Sequence, residues 1–123
     1  MSWDIEYTDQ FEVWWSELSR KEQVALRQTI EALSSVGPDI GRPTADRVRR
    51  SRHHNMKELR RSSLRVFFAF DPRQCAILLL GGDKSGRDAS SPNWNDWYRK
   101  FIPVADDLYD DYLAELKREG RIE

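Results

Sequence analysis

Two adjacent histidines, His53 and His54, sit inside a dense run of cations: Arg47, Arg49, Arg50, Arg52, Lys57, Arg60, Arg61 and Arg65. Histidine exchanges protons near neutrality, and a guanidinium can hold two phosphate oxygens at once. The combination suits binding a polyanion and moving protons beside it. Residues 42–65 hold nine Lys and Arg against two acids, Asp46 and Glu58, a formal charge of +7. The rest of the chain holds eleven basic and nineteen acidic residues, or −8, so the net charge of −1 hides a polarised molecule. Charge segregated this strongly points to a polyanion-binding surface, with nucleic acid the first candidate. A solvated basic loop is the plainer alternative.

At 123 residues the chain is expected to form one domain spanning residues 1–123. It is 39% hydrophobic and 33% charged, which suits a modest core under a heavily charged surface. The first residues lack the basic-then-apolar form of a signal peptide. The longest uninterrupted apolar run, Cys75–Leu80, is too short to cross a bilayer. Cys75 is the one cysteine, so no disulfide can form within the chain, and a reducing cytoplasm is the expected compartment. One Cys and two His argue against a dedicated zinc site. No cofactor is implied.

The elements that must position these groups read as β-αα-βββ-α, an α+β arrangement of an antiparallel-rich sheet and helices. Trp3–Tyr7 alternates apolar and acidic residues as a half-wet strand does. Thr8 can cap a short helix with Phe11, Trp14, Trp15 and Leu18 on one face. Ser19 and Glu22 form a capping box for a second helix, with Leu26, Ile30 and Leu33 as its stripe, ended by Gly37-Pro38. The two are expected to pack as an antiparallel hairpin. Residues 38–55 show no period and read as a loop carrying the basic segment. Three strands follow: Met56–Arg60, Leu64–Phe70 and Cys75–Leu80. Leu64–Phe70 is apolar on both faces, which predicts a central strand. Gly81-Gly82 is expected to break the last strand. Residues 83–93 read as a polar loop. Trp94–Phe101 begins a helical region that Ile102-Pro103 should interrupt. A further helix from Pro103 to Glu119 carries Ala105, Leu108, Tyr109, Tyr112 and Leu116 on its apolar stripe.

With its motifs, this order resembles the RelE/ParE superfamily of bacterial type II toxins, and more closely its HigB-like, phage-related branch. The resemblance rests on Met56-Lys57-Glu58-Leu59-Arg60, on Arg65-Val66-Phe67-Phe68-Ala69-Phe70-Asp71-Pro72, and on Leu80-Gly81-Gly82-Asp83-Lys84-Ser85-Gly86. Trp97-Tyr98, followed by Ile102-Pro103-Val104-Ala105-Asp106 and Tyr109, completes it. It implies a cognate antitoxin, often a helix-turn-helix, HigA-like protein. For most RelE- and HigB-type members it implies cleavage of mRNA on the ribosome by attack of a 2′-OH on its own phosphate, without a metal.

Under that resemblance Arg65 matches an arginine that contacts the scissile phosphate, Lys84 a basic position after the last strand, and Tyr98 a C-terminal aromatic position. Arg60 can contact phosphate or pair with an acid. His54 is carried as a candidate proton carrier. Arg49, Arg50, Arg52, His53, Lys57, Arg61, Arg87 and Trp97 are the candidate RNA-binding residues, with Trp97 either stacking on a base or packing inside. The chain departs from ribosome-cutting relatives at positions 56 and 58, where they carry lysines and it has Met56 and Glu58. Lys57 should point to the opposite face by alternation. Glu58 can replace the missing base or simply pair with Arg60 or Arg65. That departure keeps two other readings open: a ParE-like toxin that binds DNA gyrase, and an inactive remnant that only binds its antitoxin. Arg87–Pro92 looks like an insertion.

Overall fold

The structure, a computed structural model, describes residues 2–84 and 94–123. The chain runs β1 (Ile5–Tyr7), α1 (Asp9–Ser16), α2 (Arg20–Val36), a short 3-10 turn (Gly37–Asp39), β2 (Ala45–Arg47), β3 (Lys57–Arg61), β4 (Leu64–Phe70), β5 (Ala76–Asp83) and α3 (Trp94–Arg118). The strands form one five-stranded sheet in the order β1-β5-β4-β3-β2, with β1 parallel to β5 and the other pairs antiparallel. The fold is α+β, as the sequence predicts, with one strand more than the sequence showed.

Both predicted caps form. The Thr8 hydroxyl accepts from the Phe11 N–H at 3.0 Å and donates to the Leu79 carbonyl at 2.7 Å, so the start of α1 is tied to β5. Ser19 and Glu22 exchange hydrogen bonds at 3.1 and 2.9 Å to open α2. Each such cap satisfies donors that a helix end would otherwise leave unpaired.

The sheet is covered on both sides. One face carries Leu59, Val66, Phe68 and Leu78 against Phe11, Leu26 and Leu33 from the α1–α2 hairpin. The other carries Met56, Phe67, Ala69, Ile77 and Leu79 against Trp97, Ile102, Ala105 and Tyr109 from α3. Hence β4, the middle strand, is buried from Leu64 to Ala69, as its two-sided apolar pattern requires.

Three expectations are corrected. The segment read as a structureless loop contains β2, an edge strand of three residues, too short to show a period. β5 runs through Gly81-Gly82 instead of stopping there. These glycines leave room where the Trp14 and Trp97 rings press on opposite faces of the strand. α3 is one helix through Pro103, not two. Proline forfeits one backbone hydrogen bond, but Trp97, Ile102, Ala105, Tyr109 and Leu116 stay buried along its whole length. None of the helices described is long and apolar enough to cross a membrane.

A part-buried ionic network pins the C-terminal half of α3. Asp71 accepts from Arg73 Nη2 at 2.8 Å, from Tyr112 Oη at 2.9 Å and from the Arg73 N–H at 2.7 Å. Glu6 on β1 accepts from the same guanidinium at 3.0 Å and from Tyr112 Oη. Burial pulls the Asp71 carboxyl upward, but the Arg73 and Tyr112 hydrogen bonds outweigh it and leave its pKa below the usual value. Cys75 lies beside Glu6 and Asp71. Burial pushes its thiol up to about 11, so it keeps its proton, and Arg73 and Tyr112 already occupy the two carboxylates.

Candidate functional site

Strand alternation sorts the basic segment into two faces. On β3, Glu58 and Arg60 share the α3 face with Met56, while Lys57 and Arg61 point toward the α1–α2 side. The β3–β4 register sets Arg60 directly opposite Arg65, and Arg65 in turn opposite Gly82 on β5. Two like charges opposed on one sheet face repel. The carboxylate of Glu58 lies between them.

Glu58 is 4% exposed. Its Oε2 accepts from Arg60 Nη2 at 3.2 Å, and its Oε1 accepts from the Tyr98 hydroxyl at 2.7 Å. Arg65 Nε lies 3.8 Å from Oε1, an ion-pair distance too long for a hydrogen bond. Arg65 is itself buried, and its Nη1 donates to the carbonyls of Ser62 at 2.7 Å and Leu64 at 2.9 Å. Arg60 reaches Asp46 on β2 as well, at 3.2 Å. The Nε atoms of both arginines are buried with no acceptor among the described residues.

Tyr98 stands on the first turns of α3, edge-on to Phe67 and to Trp97. Burial, then the Glu58 carboxylate, push its phenol up to about 12, so it keeps its proton at neutral pH. The Lys84 ammonium lies 6.0 Å from the Tyr98 ring centroid. Burial and then the Arg65 charge hold Lys84 below the ordinary lysine pKa.

These groups line a cleft of about 300 Å³ that Glu58, Arg60, Lys84 and Tyr98 share with Arg47, Arg49 and Arg50. Arg49 and Arg50 are exposed. An adjoining depression of about 320 Å³ shares Arg50 and Tyr98 with it and adds Arg52 and Arg99. The whole is a cationic track leading to a cluster of partly buried Arg60, Lys84 and Tyr98 around buried Glu58, with Arg65 buried behind it. Such a site can grip a phosphodiester backbone, neutralise charge gathering on a phosphate and supply a proton.

Not every candidate joins it. Lys57 gives its ammonium to the carbonyls of Pro38 at 2.8 Å and Ile40 at 2.9 Å, on the far side of the sheet. Arg61 binds Gln28 of α2 at 3.0 Å on the same far side. Trp97, 4% exposed, stacks on Phe67 with ring centroids 5.5 Å apart, so its face is not open to a base. His54 is exposed and does not line the cleft. His53 pairs with Asp110 at 2.8 Å and lies edge-on to Tyr109. Arg52 is held by Asp107 at 2.8 Å and by Asp110, and the Ser51 hydroxyl donates to buried Asp106. The acidic stripe of α3 thus ties down the β2–β3 loop, which carries Arg49 and Arg50 just after β2. Arg87 lies outside the described residues. Arg47 and Asp46 were not singled out from the sequence. Their place follows from β2, the strand whose brevity concealed it.

The architecture is that of RelE toxins. It matches the toxin–antitoxin complex RelBE2 from Mycobacterium tuberculosis with a TM-score of 0.55 at 14% identity, over 68% of this chain and 99% of that one. It matches the archaeal RelE–RelB complex from Pyrococcus horikoshii OT3 with a TM-score of 0.57 at 11% identity, over 71% and 99%. Likeness at such low identity speaks for the fold alone. The chain belongs to the family of phage-derived Gp49-like proteins (DUF891), matched over residues 13–110, within the HigB-like branch of the RelE/ParE type II toxins. It is 46% identical over 107 residues to "Putative toxin HigB3" of Mycobacterium tuberculosis (strain ATCC 25618 / H37Rv), covering 85% of this chain and 89% of the relative. HigB2 of the same strain is 40% identical over 114 residues, 89% of this chain but 54% of that longer relative.

Proposed function

We propose that this toxin is a ribosome-dependent endoribonuclease that halts translation by cutting mRNA. The observation that carries the reading is the cleft that Glu58, Arg60, Lys84 and Tyr98 line with exposed Arg49 and Arg50, with Arg65 buried just behind Glu58. In this reading the exposed arginines hold the RNA backbone. The 2′-oxygen attacks the adjacent phosphorus, the bond to the 5′-oxygen breaks, and a 2′,3′-cyclic phosphate and a 5′-hydroxyl result. Lys84, whose lowered pKa favours its neutral form, takes the 2′-hydroxyl proton. Arg60 and Arg65 offset charge on the phosphorane-like transition state. Tyr98, protonated at neutral pH, gives a proton to the leaving oxygen.

Relatives in solved toxin–antitoxin complexes support a cognate antitoxin as the partner, with a helix-turn-helix, HigA-like protein as the specific proposal. Ribosome and mRNA are the proposed targets and the cytoplasm the proposed site of action. The test is inducible expression in bacteria with mapping of mRNA 5′ ends, wild type beside Lys84→Ala. New cuts within translated messages, lost in the variant, are expected. Growth arrest with intact mRNA overturns the nuclease reading and favours gyrase or another target. Met56, fully buried under α3 where the resemblance to ribosome-cutting RelE toxins leads one to expect a lysine, is the observation that keeps that second reading in view.

A further inference from the structure

We infer that Glu58 is an internal counter-anion, seated where an RNA phosphate oxygen would bind, and that RNA must displace it from Arg60 and Arg65. The inference rests on the RNA-binding reading of the cleft. It assigns Glu58 a role other than the general base that its place on β3 first suggests.

The geometry argues for it in three ways. Both carboxylate oxygens already hold protein donors, Tyr98 Oη on one and Arg60 Nη2 on the other. Each of these donors competes with a substrate hydroxyl for the same oxygen. Next, the carboxylate does not satisfy the cations around it. Arg65 Nε is 3.8 Å away, and both arginines bury an Nε–H with no acceptor among the described residues. A buried donor left unpaired is costly. As it sits, the carboxylate reaches Arg60 at hydrogen-bond distance but not Arg65, although the two guanidinium-bearing residues face each other across the β3–β4 register. A tetrahedral phosphate offers more oxygens and more charge to the same donors. Finally, Glu58 lines the cleft itself, so the position it fills is continuous with the exposed track of Arg49 and Arg50.

Displacing the carboxylate has a chemical consequence. Tyr98 Oη now points its hydrogen at Glu58. Once Glu58 yields, the hydroxyl can turn to the phosphate and its leaving oxygen. Substrate binding and release of the acid become one event.

The experiment uses the full chain and an RNA oligonucleotide carrying 2′-O-methyl groups, which binds but cannot be cut. Its affinity is measured for wild type, Glu58→Gln and Glu58→Gln with Arg60→Ala. Glutamine keeps the shape and an acceptor for Arg60 while removing the charge. Glu58→Gln is expected to bind on the order of tenfold tighter, the scale of one close charge in a partly screened site. Arg60→Ala should cancel that gain. Equal or weaker binding by a folded Glu58→Gln overturns the inference and leaves RNA binding standing. If neither wild type nor variant binds RNA, the RNA reading falls and takes the inference with it. As a measurement independent of the variant's folding, the Glu58 carboxylate carbon of the wild type is followed by NMR. It should shift as RNA saturates the protein, and an unmoved signal at saturation overturns the proposal.

Discussion

The Tyr98 hydroxyl donates to Glu58 Oε1 at 2.7 Å, bridging α3 to the strand that carries Arg60. The bond holds the phenol's proton inside the cleft, and the phenol's pKa, raised to about 12, keeps it there at neutral pH. Tyr98→Phe preserves the ring's packing on Phe67 and removes the proton. Cleavage on programmed ribosomes is expected to fall by about 10²-fold or more, the usual contribution of a general acid. A Tyr98→Phe variant that cuts at the wild-type rate removes Tyr98 from the chemistry.

Lys84 should set the pH profile. Its pKa is lowered, first by burial and then by the charge of Arg65, so its neutral form gains population below the ordinary lysine range. If neutral Lys84 is the base, the single-turnover rate rises with pH toward that lowered value and is lost as pH falls. The rise should vanish in Lys84→Ala. An unchanged slope in the variant assigns the base elsewhere.

Arg49 and Arg50 are exposed and make no ion pair among the described residues. Replacing both with Ala should leave stability within about 0.5 kcal/mol of wild type. Each lost phosphate contact should flatten the dependence of log K on log salt by about 0.7 for single-stranded RNA. An unchanged salt slope in the double variant places the RNA track elsewhere.

The Glu6–Asp71–Arg73–Tyr112 network should govern acid stability. Hydrogen bonds from Tyr112 and Arg73 hold the pKa values of Glu6 and Asp71 below their usual values. Carboxylates lowered in the folded state contribute stability that is present above their unfolded values, near pH 4, and lost as pH falls through the folded ones. Tyr112→Phe removes the one hydroxyl hydrogen that the two carboxylates share and should cost about 1–3 kcal/mol at neutral pH. Urea unfolding at neutral pH and near pH 3 checks this: the gap between wild type and variant should narrow in acid.

Gly82→Ala tests the continuity of β5. A Cβ there would fall inside contact distance of the Trp97 ring, which is wedged against Phe67. Overpacking of this kind costs about 1–3 kcal/mol. A variant with an unchanged denaturation midpoint would show that Trp97 can withdraw freely.

Features set by near neighbours were legible before the fold was seen. Thr8 and the Ser19–Glu22 box need only the residues three positions on. Leu64–Phe70 reads as a central strand because both its faces are apolar. Lys57 could be assigned to the far face by alternation alone. β2 is hidden by its brevity, and the other two misreadings share one cause. Gly81, Gly82 and Pro103 are poor formers judged locally, yet buried contacts with Trp14, Trp97 and the sheet carry the strand and the helix through them.

The sequence by itself determined the order of elements apart from β2 and the continuity of α3, the two-sided central strand, the family and a basic segment of +7. Which of those charges face a ligand was decided only by tertiary structure, because electrostatic partners need not be neighbours in the chain. Asp106, Asp107 and Asp110 return from α3 to hold Arg52 and His53, some 55 residues away. Lys57 and Arg61 are spent on the far face. Arg49 and Arg50 remain exposed on the cleft, and strand register sets Arg60 on its wall and Arg65 buried behind it, with Glu58 between them.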